Sequence, residues 1–420
     1  MRDAQVSGIL DGMHPARAGK PRILFFCESV SLAHLARPLA LAAALDPERY
    51  DIHIASGDAF RQFFEACPFT RHTLTTISRD EFARRLSLGA PLYDEQTLER
   101  EVAEDLALME RVRPDLVIGD FRLSLAVSAR VRKVPYALIA NAYWSPAARA
   151  IYEPPPTLFT RMLPLPIVRF FFNRFRSAIF AQHASAHNAV RARRSLPLLQ
   201  SDIAHLYTDA DTILYADLPE LFSECHFLPT EKFLGLVTWS PEASLPSAVA
   251  EWIQSREPSQ LCYVTLGSSG ASDLLPLILR TLGTLPLCAV VSSAGTVAKV
   301  AVPPNVLLVP FVSGDSMASR ADLIISNGGS ATTNQALAAG KPIIGIASNM
   351  DQMLNMQRIA SQGAGILLRA DRLTTKRLAS AITRVLVSSS FSESASRIGA
   401  LANQHDFKEN FRQFVAQSLS

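Results

Sequence analysis

Short runs of consecutive apolar residues recur along the first half of the chain, at 23–27, 52–55, 116–119, 136–140 and 212–215. The second half repeats the pattern at 261–266, 287–292, 306–309, 323–326 and 343–346. Helix-length amphipathic segments separate them. The runs are nearly unbroken rather than alternating, as expected of strands covered by helices on both faces. Strands alternating with helices predict an α/β fold with doubly wound parallel sheets. The rhythm breaks where Pro219, Pro229, Pro241, Pro246 and Pro258 fall, and such a stretch suits a join between domains. The predicted organisation is an N-terminal extension over 1–20, a first domain over 21–225, a linker over 226–258, a second domain over 259–404 and a C-terminal helix over 405–420. That last helix carries Phe407, Phe411, Phe414 and Val415 on one face.

Composition narrows the class. With 420 residues there is room for two full-sized cores, and 48% hydrophobic against 19% charged residues excludes a disordered chain. A formal net charge of +3 is too small to argue for nucleic acid as a partner. Cys27, Cys67, Cys225, Cys262 and Cys288 are scattered and never form a C-x-x-C pair. They suit neither a disulfide framework nor a zinc site, and they point to a reducing, cytoplasmic compartment. Residues 1–20 lack the apolar core of a signal peptide. No apolar run reaches the roughly 18 residues of a membrane span.

The most informative segment begins with the run at 323–326 and continues Asn327-Gly328-Gly329-Ser330-Ala331-Thr332-Thr333-Asn334-Gln335, ending at Gly340. It reads as strand, tight turn and helix. The two glycines allow positive φ and close approach of a ligand to the backbone. A helix opened by Ser330 or Ala331 points free N–H groups at the turn, an arrangement that binds phosphate. Ser330 and Thr332 add hydroxyl donors. Read alone, the turn is equally an ordinary βα connection. Val312 before it, and Asp351 and Gln352 after the next strand, fall at the same carboxyl edge, where ligands of open α/β sheets bind.

These motifs resemble the nucleotide-sugar signature of family 1 glycosyltransferases, which have the GT-B fold. The resemblance rests on Phe311-Val312, Ala321-Asp322, Gly328-Gly329, Thr332, Ala336-Leu337, Gly340-Lys341-Pro342 and Asp351-Gln352 with Asn355; Gly267-Ser268 resembles the family's first donor-domain turn. It implies two Rossmann-like domains facing each other across a cleft. It also implies that Ser268, Asn327, Gly328, Gly329, Ser330 and Thr332 face a diphosphate. The backbone near Val312 would then face the base, Gln335 the ribose, and Asp351 with Gln352 the donor sugar. The family usually has His at the place of Asn327 and often Glu at that of Gln335. A uridine diphosphate sugar is the favoured donor, although Gln335 weakens its case against thymidine.

In the first half, His34 follows the first predicted strand inside Ala33-His34-Leu35-Ala36-Arg37. This resembles the family's Gly-His-x-x-Arg pattern without the glycine, and implies a general base. Asp120 ends another strand and is implied to be its partner. A hydroxyl acceptor needs its proton removed, and an imidazole steadied by a carboxylate can do so. The implied reaction is a single inverting displacement in which no metal or other cofactor takes part. Tyr143 and Trp144 follow a further strand end and are candidates for the acceptor pocket. The stretch 151–199 carries seven arginines interleaved with phenylalanines, Glu153 being its only acid. It reads as an excursion around the acceptor pocket, and the same composition suits peripheral contact with an anionic inner-membrane surface near 159–194 and a lipophilic acceptor. His183 and His187 read as a helix-surface pair rather than a metal site. Two other readings stay open: a sugar-nucleotide epimerase on the same fold, and a non-catalytic sugar-nucleotide-binding partner protein.

Overall fold

The computed structural model describes residues 19–64, 67–200, 202–241, 245–256, 259–267, 272–293 and 301–420. The first sheet contains β1 (Arg22–Cys27), β2 (Asp51–Ser56), β3 (Thr70–Thr73), β4 (Leu116–Asp120), β5 (Tyr136–Ala140), β6 (Thr212–Tyr215) and β7 (Glu231–Phe233). Its order is β3-β2-β1-β4-β5-β6-β7. The second sheet contains β8 (Leu261–Thr265), β9 (Cys288–Ser292), β10 (Val306–Val309), β11 (Leu323–Ser326), β12 (Ile343–Ala347) and β13 (Gly365–Arg369). Its order is β10-β9-β8-β11-β12-β13. Every pairing in both sheets is parallel. The fold is therefore GT-B-like: two Rossmann-like domains, each a doubly wound sheet.

The central strands are the predicted apolar runs, and they are buried throughout: β4, β5, β11 and β12 expose no residue. Three strands were not anticipated. β3 and β7 are short edge strands with charged or polar residues that stay partly exposed, and β13 closes the other sheet's edge half-buried. An edge strand covered on fewer sides needs no unbroken apolar run. β7 lies inside the expected linker of 226–258 and pairs with β6, so the first sheet continues to Phe233.

The last helix, Phe407–Ser418, does not stay with the second domain. Phe411, Phe414 and Val415 are buried in the same cluster as Phe25, Leu35 and Ile118 of the first domain. The Phe411 ring lies 6.2 Å from that of Phe25. Asn410 Nδ2 donates to the Leu234 carbonyl at 2.9 Å. No helix among the described residues is long and apolar enough to cross a membrane.

Because Phe411 is fully buried under the first sheet, Phe411→Ala is expected to destabilise that domain by about 3–5 kcal/mol. Urea unfolding followed by intrinsic fluorescence checks this, and a loss under 1 kcal/mol (about a fivefold change in the unfolding equilibrium) contradicts it.

Candidate active site

Each sheet reverses its winding between one pair of strands: β1 and β4 in the first, β8 and β11 in the second. Chains leave such a switch point in opposite directions and open a crevice at the carboxyl edge. Cys27 pairs with Asp120 across β1 and β4, and Thr265 pairs with Ser326 across β8 and β11. A cavity of about 1270 Å³ joins the two crevices, with His34 and Asp120 on one side and Asn327, Gly329 and Ser330 on the other.

His34 sits in the first turn of the Ala33–Ala42 helix that follows β1. Its Nδ1 lies 2.8 Å from Asp120 Oδ1. A carboxylate only accepts, so Nδ1 carries the proton and Nε2 is the basic nitrogen. Asp120 is fully buried. Arg37, three residues beyond His34, grips the same carboxylate with two bonds: Nε donates to Oδ2 at 2.9 Å and Nη2 to Oδ1 at 2.7 Å. This planar fork is among the strongest ways to hold a buried charge. Arg37 Nη1 also donates to Asn141 Oδ1 at 2.8 Å. Asn141 and the Ala142 amide in turn donate to Asp217, at 3.1 and 2.7 Å. Burial pushes the Asp217 carboxyl up to about 6 despite these donors. Asp120 does not cap the next helix, Leu125–Arg132, whose N-cap is Ser124.

The turn after Asp120 is held from behind. Phe121 has φ of +60°, a left-handed conformation that costs a bulky residue of order 1–3 kcal/mol. Its ring stacks on His34 with centroids 4.7 Å apart and planes 16° apart. Arg122 next to it is fully buried and ringed by carboxylates: Glu104 and Asp105 at 3.1 Å, Glu28 and Glu101 at 3.6 Å. Burial pushes Glu28 up to about 7 against the pull of Arg122, and raises Glu101 and Asp105 as well.

On the facing side the Asn327–Gly329 turn is built by its own hydrogen bonds. Ser326 Oγ accepts from the Gly328 amide at 2.9 Å, and Asn327 Oδ1 accepts from Gly329 at 3.1 Å. Asn355 Nδ2 donates to the Gly328 carbonyl and to Thr333 Oγ1, both at 2.8 Å. Gly328 has φ of +80°, and a Cβ there would lie 2.6 Å from Met356 Cγ. Gly329 keeps φ of −73°, so conformation demands glycine only at the first of the two. The helix that follows is Ser330–Ala338, and no side chain caps it. Its first-turn amides keep their capacity for an anion. Ser330, Thr332 and Val312 line the cavity there. Gly328 itself does not, since it is turned towards Met356. Ser268 lies outside the described residues.

Most of the remaining sequence candidates are engaged with groups outside their own domain. Gln335 faces the cavity and its Nε2 donates to the Trp239 carbonyl at 3.0 Å. Asp351, at the start of the Met350–Ser361 helix, accepts from Tyr143 Oη at 3.0 Å and Trp144 Nε1 at 2.8 Å. Gln352 is buried at the cavity edge, its Oε1 taken by Ser348. Trp144 lines the cavity, whereas Tyr143 lies behind it with its phenol turned to Asp351. The first-domain wall is aromatic, with Phe82, Phe121, Trp144, Phe172, Phe180 and Tyr207. His187 departs from the surface reading. It is buried, its Nε2 lies 3.0 Å from the Leu123 carbonyl, and burial lowers it to about 4. Among the described residues no group of three or more His, Cys, Asp or Glu side chains is placed to hold a metal.

Comparison with known proteins gives this geometry a family. The family model for the erythromycin biosynthesis protein CIII-like C-terminal domain matches residues 277–406. A PGL/p-HBAD biosynthesis rhamnosyltransferase of Mycobacterium bovis is 39% identical over 396 residues, spanning 94% of this chain and 87% of that one. A PGL/p-HBAD biosynthesis glycosyltransferase of Mycobacterium tuberculosis is also 39% identical, over 96% of this chain and 93% of its own. The chain belongs to the family 1 glycosyltransferases. Among solved structures, spinosyn rhamnosyltransferase SpnG shares the fold of this glycosyltransferase with a TM-score of 0.67 at 17% identity, covering 94% of this chain and 100% of that one.

In the glycosyltransferase the sequence motifs mark the ligand edge, and the stretch from Asn141 to Ser145 falls where the acceptor pocket is expected, but they miss Asp217, do not show that Asn141 joins Arg37 to it, and give Arg37 only as part of a pattern. A single arginine in a helix carries no sign that it will meet a carboxylate 83 residues away. Glu28, beside the site, makes stability depend on pH. Unfolded, it ionises near 4.5; folded, near 7. Between those values the native state holds a proton that the unfolded state has lost, so stability falls as pH rises through this window. Relative to Glu28→Gln, the wild-type enzyme is expected to lose on the order of 1–3 kcal/mol between pH 5 and 8. Urea unfolding at both pH values checks this, and parallel losses in the two proteins contradict it.

Proposed function

We propose that this glycosyltransferase moves a 6-deoxyhexose such as rhamnose from a thymidine diphosphate sugar to a hydroxyl of an aromatic or otherwise lipophilic acceptor, with inversion. One observation carries the reading: the Asp120-oriented imidazole of His34 shares a cavity with the uncapped start of the Ser330–Ala338 helix. The acceptor hydroxyl gives its proton to His34 Nε2 as its oxygen attacks the anomeric carbon. The bond from that carbon to the diphosphate oxygen breaks, and its electron pair leaves with the diphosphate. The amides near Ser330, with the side chains of Asn327, Ser330 and Thr332, meet the developing charge, the task for which metal-free sites use preorganised donors. Asp120 and Arg37 keep the imidazole aimed while it becomes imidazolium. Attack opposite the leaving group inverts the anomeric centre.

Thymidine is preferred to the uridine donor that the sequence favours because Gln335 supplies no carboxylate for a pair of ribose hydroxyls. Its amide is already engaged with Trp239. The fold neighbour SpnG has been solved with thymidine diphosphate, and the relative from M. bovis is named a rhamnosyltransferase. Asp351 and Gln352 border the space for the sugar. The aromatic wall supports an apolar acceptor. All five cysteines are free, which supports a reducing, cytoplasmic compartment.

His34→Ala is expected to lower kcat by about 10²–10⁴ while donor affinity changes less than about threefold, a loss of transition-state stabilisation alone. Calorimetry beside product formation measures both, and a variant that retains wild-type turnover refutes the assigned base. A donor panel is expected to favour thymidine over uridine diphosphate sugars by about tenfold or more in kcat/KM, a difference of about 1.4 kcal/mol, unchanged by chelator. A uridine preference would reverse the donor assignment.

A further inference from the structure

The Leu165–Arg193 helix is 29 residues long, about 44 Å at 1.5 Å per residue. Its second half is anchored in the first domain through Phe180, Ala184, His187 and Val190. Its first half stands at the surface with Phe170 67%, Phe171 54% and Phe175 52% exposed. The Leu158–Met162 helix before it adds Phe159 at 69% and Met162 at 74%. Isolated exposed apolar residues need no explanation, but a contiguous set this large marks a surface that something covers.

The segment is held in place by its backbone, not by these side chains. Arg369 donates to the Pro154 carbonyl at 2.8 Å, and Arg372 to those of Thr160 and, at 2.6 Å, Leu163. Between residues 154 and 201 there is no acidic residue. Arg161, Arg169, Arg174 and Arg176 lie among the exposed phenylalanines. Arg169 is paired with Glu153 at 2.9 Å, and among the described residues no carboxylate pairs with the other three. Phe159, Leu163, Ile167, Phe171 and Phe175 also line the mouth of the cavity whose floor holds His34. One apolar surface therefore runs from the outside of the molecule to the base.

We propose that this face docks on an anionic lipid bilayer, with the phenylalanines and Met162 in the headgroup–acyl boundary and the arginines on anionic headgroups. The mouth then opens against the membrane, and an amphiphilic acceptor enters sideways from the lipid. Only this last step rests on the glycosyl-transfer reading. A second copy of the chain is the poorer occupant, because the same face on both copies would set arginines against arginines with no acid between them. Cationic helices with aromatic apolar faces bind anionic interfaces by these two forces together.

Flotation of the full chain with phosphatidylcholine vesicles, with and without phosphatidylglycerol, tests this. The wild-type protein is expected to float only with the anionic vesicles. A basic residue near such a surface is worth about fivefold in binding, so Arg161→Glu with Arg174→Glu should weaken binding by about thirtyfold or more. Met162→Ser with Phe170→Ser should weaken it without reversing any charge. None of these four residues lines the cavity, so both variants should turn over a soluble acceptor as the wild type does and lose only turnover of a vesicle-embedded one. The proposal is overturned if the wild type ignores anionic vesicles, if both variants bind them as well as the wild type, or if sedimentation shows a dimer that Met162→Ser with Phe170→Ser dissociates. Failure of the wild type to turn over any soluble acceptor would count instead against the transferase reading.

Discussion

A carboxylate closed off from water must have its charge met at contact distance, and Asp120 meets that condition through Arg37 and His34 alone among the described side chains. Much of the first domain follows from this. The two partners stand one helical turn apart, so both must lie in the first turns of the helix that follows β1. Asp120 must end the neighbouring strand, so β1 and β4 must lie side by side with Cys27 opposite Asp120. The cost of the strained Phe121 turn is offset by Arg122, anchored among buried acids, and by the stacking of Phe121 on the imidazole.

The second domain applies the same topology to the opposite charge. Where the first switch point gathers a carboxylate and a base, the second presents backbone amides, with Gly328 shaped for the bend and Asn355 bracing it from beneath. Contacts across the cleft keep the two in register. Asn334 reaches the Ala216 and Val237 carbonyls, and Tyr143 and Trp144 converge on Asp351. The Asp351 carboxylate of the second domain is thus positioned by two aromatic side chains of the first.

Legibility in the sequence followed burial. β4, β5, β11 and β12 are covered on both faces, and their apolar runs declared them. β3 and β7 sit at an edge with polar residues, so nothing distinguished Glu231–Phe233 from a connection. The turn at Asn327 and the histidine after β1 were readable because glycines, caps and strand ends act locally. The Arg37 clamp, the Asn141–Asp217 relay and the burial of His187 were not readable, because each depends on a neighbour brought close only by the finished fold. Tyr143 and Trp144 looked alike as neighbours after β5, yet a short 3₁₀ turn sends one to the cavity and the other behind it.

The returning C-terminal helix has a consequence for biosynthesis. Domains commonly fold in the order in which the ribosome releases them, but here the first domain lacks Phe411, Phe414 and Val415 until the entire second domain has been translated. Its sheet waits with an uncovered apolar flank throughout that interval. Nascent chains should therefore depend on chaperone protection, and a message shortened near its 3′ end would uncover the first domain, far from the cut in sequence, while the second kept its own core.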